Sequence, residues 1–405
     1  MVGIAQKAGV RTGSRRHGLL ILALTLAFTL GPGGSASPAS ASPGDSPSLS
    51  PTAIPPAPDA AGAPAGISII NGRRTKIGDW PWQVGLLGRK RARSRATPRS
   101  RFFCGGSLIA PDLVLTAAHC LVDFKKRGIR RIEVVSGRTH LNRESTGVVS
   151  AVERAIFPVN SNGKRRFREP GGVPSWDVAL LKLKAPLTSA TIKIAGPDEA
   201  AASRPGGPAF TTGWGVTDAR NGRGSNALKF AKQVILPNRL CRSTTGRFYQ
   251  SATMNCLGGP GAKTSTCFGD SGGPLVAAVG DGFRLVGLTS NGDPYCRANI
   301  PSVDARLADR PIRGWVRTKA LAVSGVDVVG RGGTVAPAPR WCRVPNLRNL
   351  NLSRAGRLLR ARNCRLGQKR TDRFSGLRRG RVSFGALMPG WLAPPGSRIT
   401  VWVAK

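Results

Sequence analysis

The chain is short of acid, of histidine and of long apolar runs. Against 62 Lys and Arg, its 405 residues carry only 20 Asp and Glu, a net charge of +42. Such an imbalance bears on partners rather than fold, and favours acidic proteins or anionic polymers. Histidine occurs three times, so an imidazole catalyst has few places to sit. Beyond the first 30 residues no run of about 18 apolar residues occurs, which excludes a membrane-spanning helix. No two cysteines have the C-x-x-C spacing of a zinc site. No internal repeat is visible, and glycine has no three-residue period, which excludes a collagen-like chain.

What is present suits a folded, turn-rich protein. Hydrophobic residues make up 40%, enough for a core, while 52 Gly and 31 Pro argue against a mainly helical bundle. At about 150 residues per domain, the length suggests two or three domains. Residues 1–41 have the layout of an export signal. Lys7, Arg11, Arg15 and Arg16 precede the apolar run Gly18–Leu30, and Ala39-Ser40-Ala41 is a small-residue cleavage site. The general and twin-arginine export routes both stay open. The mature protein is thus expected outside the cytoplasm, secreted and without a membrane span. In that setting, eight Cys point to disulfides rather than metal ligands.

Residues 42–68 hold seven Pro among 27 positions and read as a solvated pro-segment or linker. From Ile69 the texture changes to short runs rich in Val, Ile, Leu and Thr, bounded by Gly, Pro or Asp. Gln83–Leu86, Leu113–Thr116, Val178–Leu183 and Phe283–Thr289 are examples. Many short strands with turns between them predict a β sandwich or barrel. Pro311 to about Ala322 predicts a helix with Ile312, Trp315, Val316 and Ala320 on one face. Residues 69–322 thus form one domain, 323–340 a second linker, and 341–405 a small α+β domain whose helical pattern runs from Leu350 to Ala361.

Three motifs carry chemistry. His17 leaves with the export signal, and His140 has the setting of a surface loop. His119 instead ends the strand-like run Leu115-Thr116-Ala117-Ala118 and is followed by Cys120. Ser271 lies in Gly269-Asp270-Ser271-Gly272-Gly273-Pro274, where glycines let a carbonyl approach the backbone. The amides of Gly269 and Ser271 could there face a developing oxyanion. Asp177, in Trp176-Asp177-Val178-Ala179-Leu180-Leu181, opens a buried apolar strand.

In order, spacing and local sequence, residues 69 to about 320 resemble the trypsin/chymotrypsin family of serine proteases. Ile69-Ile70-Asn71-Gly72, Pro81-Trp82-Gln83-Val84, Cys104-Gly105-Gly106-Ser107-Leu108 and Gly213-Trp214-Gly215 support the match. The resemblance implies a mainly β fold of two six-stranded antiparallel β-barrels with a C-terminal helix. It implies Ser271 as nucleophile, His119 as base, Asp177 as the group orienting it, and Gly269 with Ser271 as oxyanion hole. It implies disulfides Cys104–Cys120, Cys241–Cys256 and Cys267–Cys296, which leaves Cys342 and Cys364 to pair with each other. No metal or organic cofactor is implied, and the partners would be protein or peptide substrates of a monomer.

Two features depart from the family. Activation there frees an Ile amino group, here Ile69, to pair with the Asp before the nucleophile, here Asp270. The preceding residue is Ser68 rather than the usual Arg or Lys, so another cleavage rule must apply. The pocket set is also mixed. With Ser290 also in the set, Ser265 at its base, Gly292 leaving one wall open and Ser302 on the other suggest medium apolar or aromatic side chains. Asn291, in place of a usual Trp, weakens apolar contact further along the substrate. Asp304 near the floor would instead favour Lys or Arg.

Basic clusters lie at Arg89–Arg101 (seven of 13), Lys125–Arg131 (five of seven) and Lys164–Arg168 (four of five). They read as solvated loops on the first barrel, or as an exosite for acidic partners. Residues 341–405 resemble a PASTA domain, a small wall-associated module, through Val344-Pro345-Asn346-Leu347, the helix Leu352–Ala361 and Pro395-Gly396-Ser397-Arg398-Ile399. That resemblance implies affinity for peptidoglycan or anionic wall polymers, with no specific nucleic-acid partner. Two function classes follow: a secreted serine endopeptidase, or a wall- or polyanion-binding protein on an unactivated protease scaffold.

Overall fold

The computed structural model describes residues 69–90, 94–122, 124, 128–259, 261–335, 341–393 and 396–405. The expected export signal and Pro-rich segment lie outside the described residues. So do parts of two basic clusters, 91–93 and 125–127.

A two-residue strand, β1 (Arg73–Arg74), precedes the six strands of the first lobe. These are β2 (Gln83–Gly88), β3 (Phe102–Ala110), β4 (Leu113–Thr116), β5 (Ile132–Ser136), β6 (Val148–Ile156) and β7 (Ala179–Leu183). They close an antiparallel barrel in the order β2-β3-β4-β7-β6-β5. The period-two alternation of side chains explains why β4 and β7 are mostly apolar on both faces. Val114 and Leu181 point into the barrel with Val84, Leu86 and Leu108. Their neighbours Leu113, Leu115 and Leu180 point the other way, into a second core with Trp214, Leu228 and Leu288. That second core joins the two lobes.

The second lobe contains β8 (Pro208–Gly213), β9 (Lys229–Val234), β10 (Met254–Leu257), β11 (Pro274–Val279), β12 (Gly282–Asn291) and β13 (Ser302–Arg306). Here the expectation of a six-stranded barrel is met in part. With β1 at one edge the strands form a seven-stranded sheet, β1-β9-β8-β11-β12-β13-β10. Its far edge returns to the strand after β9 only through an Ile235–Leu257 bridge and the 2.7 Å bond from Leu236 N to Cys256 O. Pro237 follows, has no amide proton to continue the ladder, and leads into a helix (Asn238–Thr245).

Four α-helices are used below: α1 (Pro98–Arg101), α2 (Asn238–Thr245), α3 (Arg310–Ser324) and α4 (Leu352–Ala361). α3 is two residues longer at its C-terminal end than its pattern predicts, and Gly325 ends it in the left-handed conformation (φ 66°). Ile312, Val316 and Ala320 are all buried in the core between the lobes. The linker expected over 323–340 is corrected as far as Val335. Val328 packs into the inter-lobe core, Val329 bridges Ile194, and the amides of Gly332 and Gly333 donate to Asp198 and Glu199. These partners dock a Gly/Val-rich stretch that by composition alone looks unattached.

The C-terminal segment adds β14 (Cys342–Arg343), β15 (Arg365–Asp372), β16 (Val382–Gly385), β17 (Leu392–Ala393) and β18 (Arg398–Ala404). β18 lies between β15, parallel to it, and β16, antiparallel to it. Asn351 caps α4 by accepting from Arg354 N at 2.9 Å. Ala355 and Leu359 then pack on Ile399 and Val401 of the sheet.

Disulfides join Cys104–Cys120, Cys267–Cys296 and Cys342–Cys364. The expected Cys241–Cys256 bond is corrected: both are buried thiols. Among the described residues no helix is long and apolar enough to cross a membrane. Leu180 is fully buried in the core between the lobes. Leu180→Ala should cost about 2–5 kcal/mol of stability, measured by urea unfolding; a loss below about 1 kcal/mol would contradict that packing.

Candidate active site

Strand register brings the first two motif residues together. β4 and β7 pair antiparallel with Thr116 opposite Ala179, so the chain leaving β4 and the chain entering β7 share one end of the barrel. His119 starts a short 3-10 turn there, tied back to β3 by Cys104–Cys120. Asp177 is 1% exposed. Its Oδ1 accepts from His119 N at 2.8 Å, and its Oδ2 faces His119 Nδ1 at 2.7 Å. A carboxylate only accepts, so Nδ1 carries the proton and neutral His119 keeps its lone pair on Nε2. Ser290 Oγ donates to Asp177 Oδ2 at 2.5 Å. Ser290 was expected only as a pocket wall. Nothing local in its sequence signals the bond, because the partner lies 113 residues away.

The nucleophile motif is a turn before β11, held from both lobes. Gly105 N of β3 donates to Ser271 O at 2.8 Å, and Gly272 N donates to Thr289 O of β12 at 2.7 Å. Gly272 sits at φ +73°, where an added Cβ would come within 2.2 Å of Thr116 Oγ1 and 2.7 Å of Gly105 O. Only glycine fits. Asp270 N and Gly273 N donate to carbonyls within the turn. Among the described residues, the amides of Gly269 and Ser271 donate to none. His119 Nε2 lies 3.8 Å from Cys120 Sγ and makes no hydrogen bond to the Ser271 hydroxyl. Catalytic contacts are often loose before substrate tightens them. His140 is exposed at a strand-like bridge to Ala227.

Burial works against a charged His119 ring. The hydrogen bond and charge of Asp177, with a smaller effect of Glu169, outweigh it and hold the imidazole above its ordinary value.

Beside Ser271 is a cavity of about 180 Å³. Ser290, Asn291 and Gly292 line it as expected, together with Thr266, Phe268, Asp293 and Pro294, which were not foreseen. Ser265, Ser302 and Asp304 are not among its lining residues. Ser265 turns its hydroxyl to Thr266 O. Ser302 stands opposite Gly292, its Cβ 3.4 Å from where a Cβ on that glycine would be. Asp304 is 0% exposed, and neither oxygen has a hydrogen-bond partner of ordinary geometry. The acid that does reach the cavity is Asp293, whose carboxylate is held by the Arg297 guanidinium at 2.6 and 3.0 Å. That i,i+4 pair is the signal by which it could have been found.

Ile69 and Asp270 are both buried. Ile70 bridges Ser265, and Asn71 Nδ2 donates to Lys263 O at 2.6 Å, so the start of the domain is docked on the second lobe. Asp270 accepts from Gly215 N at 2.9 Å and Cys267 N at 3.0 Å. Burial nevertheless pushes its carboxyl up to about 7. Asp304 is likewise raised to about 7 by burial, with the Asp177 charge adding to the effect.

Two β lobes, a serine turn held from both of them and a histidine held by a buried carboxylate suit a hydrolase of the serine class. Residues 69–316 match the trypsin family. Over 240 residues the chain is 34% identical to a protein named Trypsin from Saccharopolyspora erythraea, covering 59% of this chain and 93% of that one. The chain belongs to the trypsin family and is a serine endopeptidase.

A buried carboxyl with a raised pKa binds its proton more tightly folded than unfolded. It therefore lowers stability as pH rises from about 4 toward 7, and the cost stays above that. Asp304→Asn should accordingly gain at least about 3 °C more in Tm at pH 8 than at pH 5. Equal effects at the two pH values would show that Asp304 ionises freely in the folded chain.

Proposed function

We propose that this endopeptidase cleaves peptide bonds through an acyl-enzyme formed on Ser271. His119 Nε2 takes the Ser271 proton as the hydroxyl attacks and returns it to the leaving amine. Asp177 keeps Nδ1 protonated and stabilises the imidazolium that forms between the two transfers. The free amides of Gly269 and Ser271 are placed for the oxyanion. The observation that carries this reading is the double grip of Asp177 on the His119 amide and ring, at 2.8 and 2.7 Å.

The reading extends to processing and location. The chain is exported, and cleavage after Ser68 frees the Ile69 amine. That ammonium pairs with Asp270, whose buried carboxyl otherwise holds a proton near neutrality. The C-terminal segment is a PASTA-like module that keeps the enzyme at an anionic wall. Its sheet supports this with Phe384 stacked on Trp402 at 4.5 Å and Arg370 5.5 Å from the Trp402 ring. The rival, a wall-binding protein with an idle protease scaffold, has the absence of Arg or Lys at Ser68 in its favour.

The test is labelling by a fluorophosphonate probe before and after cleavage at Ser68. Labelling of Ser271 that requires an Ile69 terminus is the expected result. Folded, Ile69-started protein that does not label would leave the rival standing. Because the base must be neutral and its pKa is raised, kcat/KM should rise with pH through a midpoint above about 6.5. Asp177→Asn should lower kcat by about 10⁴-fold. An activity flat down to pH 5, or a loss below tenfold in Asp177→Asn, would remove these roles.

A further inference from the structure

A second cavity, about 420 Å³, is lined by Gly269 and shares none of the Ser290–Asp293 wall. Phe268 borders both cavities, with Ser271 lining the first and Gly269, two residues before it, lining the second. Phe102, Trp214 and Phe268 give the second cavity an apolar wall, and Phe102 and Trp214 meet edge to face at 5.9 Å. Its charges are all positive. Arg99 and Arg223 line it, and no carboxylate does.

Arg99 comes from the basic cluster before β3, which the catalytic mechanism leaves unused. α1 positions it: Pro98 opens the helix, Thr97 caps it by accepting from Ser100 N, and Arg99 N donates to Asn142 Oδ1 at 2.9 Å. The side chain crosses to the other lobe, where Nε donates to Gly224 O at 3.0 Å. The remaining guanidinium nitrogens have no protein partner among the described residues. Arg223 is exposed, and its side chain likewise has none. The nearest acid on its loop, Asp218, is occupied by Arg220 at 2.8 and 2.9 Å.

We infer that this cavity is a carboxylate-reading subsite for the leaving side of the substrate, formed by Arg99 and Arg223. It selects peptides carrying a carboxylate within the first three residues after the cut, with apolar contact from Phe102 and Phe268. An acidic side chain and a free chain end present the same chemistry. The inference rests on the proposed Ser271 mechanism. The guanidiniums are partly solvated, so the effect is modest and salt-sensitive.

Internally quenched peptides, mixed before the cut, would carry Glu, Gln or Lys at each of the three following positions, with an amidated end. A further set would carry Gln throughout and a free end. The expected result is a Glu-over-Gln preference of about 3- to 10-fold in kcat/KM, expressed in KM and shrinking toward one at high salt. Lys should fall below Gln. The preference should collapse in Arg99→Gln/Arg223→Gln and persist in Arg379→Gln, a charge removed from the C-terminal segment. A gain only in the free-end set would assign the site to a terminal carboxylate. Normal fluorophosphonate labelling with Glu and Gln cleaved equally would overturn the subsite and leave the triad intact. A protein that neither labels nor cleaves any peptide would overturn both.

Discussion

Everything in the candidate centre depends on one buried carboxylate. Asp177 enters from the first lobe and accepts three hydrogen bonds, two from His119 and one from Ser290 of the second lobe. A buried charge without partners costs several kcal/mol or gives up its ionisation. The three donors make the charge tolerable, and in accepting them the carboxylate fixes the tautomer of the histidine. The same contact ties the lobes together beside the bond to be cut. Gln83 and Thr212, hydrogen-bonded in the interior, and Gly105 with Ser271 repeat the pattern.

The other buried acids are treated differently. Asp270 has two amides and Asp304 has no well-formed partner, and both are raised toward neutrality rather than kept charged. Asp293 and Glu199 are each matched by an arginine. The protein thus has an excess of surface cations but few buried carboxylates, each in a distinct electrostatic setting. The excess is not uniform in what it does. Arg101 is spent on Glu133 and Arg220 on Asp218, whereas Arg99 and Arg223 face an acid-free cavity beside the nucleophile.

Much of this was legible in the chain because it is carried by local chemistry. The glycines around Ser271, the apolar run before His119 and the apolar strand after Asp177 each describe their own surroundings, and strand register did the rest. What was not legible depends on distant surfaces. Ser290 looks like any strand-end serine until Asp177 is opposite it. The stretch after α3 has linker composition, and contacts with the inter-lobe core and with Ile194, Asp198 and Glu199 turn it into part of the domain. How the edges of the second lobe meet depends on where Pro237 falls relative to one bridge. Asp304 is close in sequence to expected pocket residues, but it is fully buried on β13 and is not among the residues lining the cavity. Cys241 and Cys256, expected as a pair, are both buried thiols.

The inter-lobe core built from Leu113, Leu115, Leu180, Trp214 and α3 has a consequence for how the enzyme is lost. On the proposed mechanism His119 and Ser271 belong to different lobes, so their separation is set by docking rather than by either lobe's internal order. A slip of about an ångström along that interface breaks catalytic alignment while both sheets keep their hydrogen bonds. Turnover is therefore a gauge of lobe registry. On heating, it would fade while circular dichroism still reported intact strands.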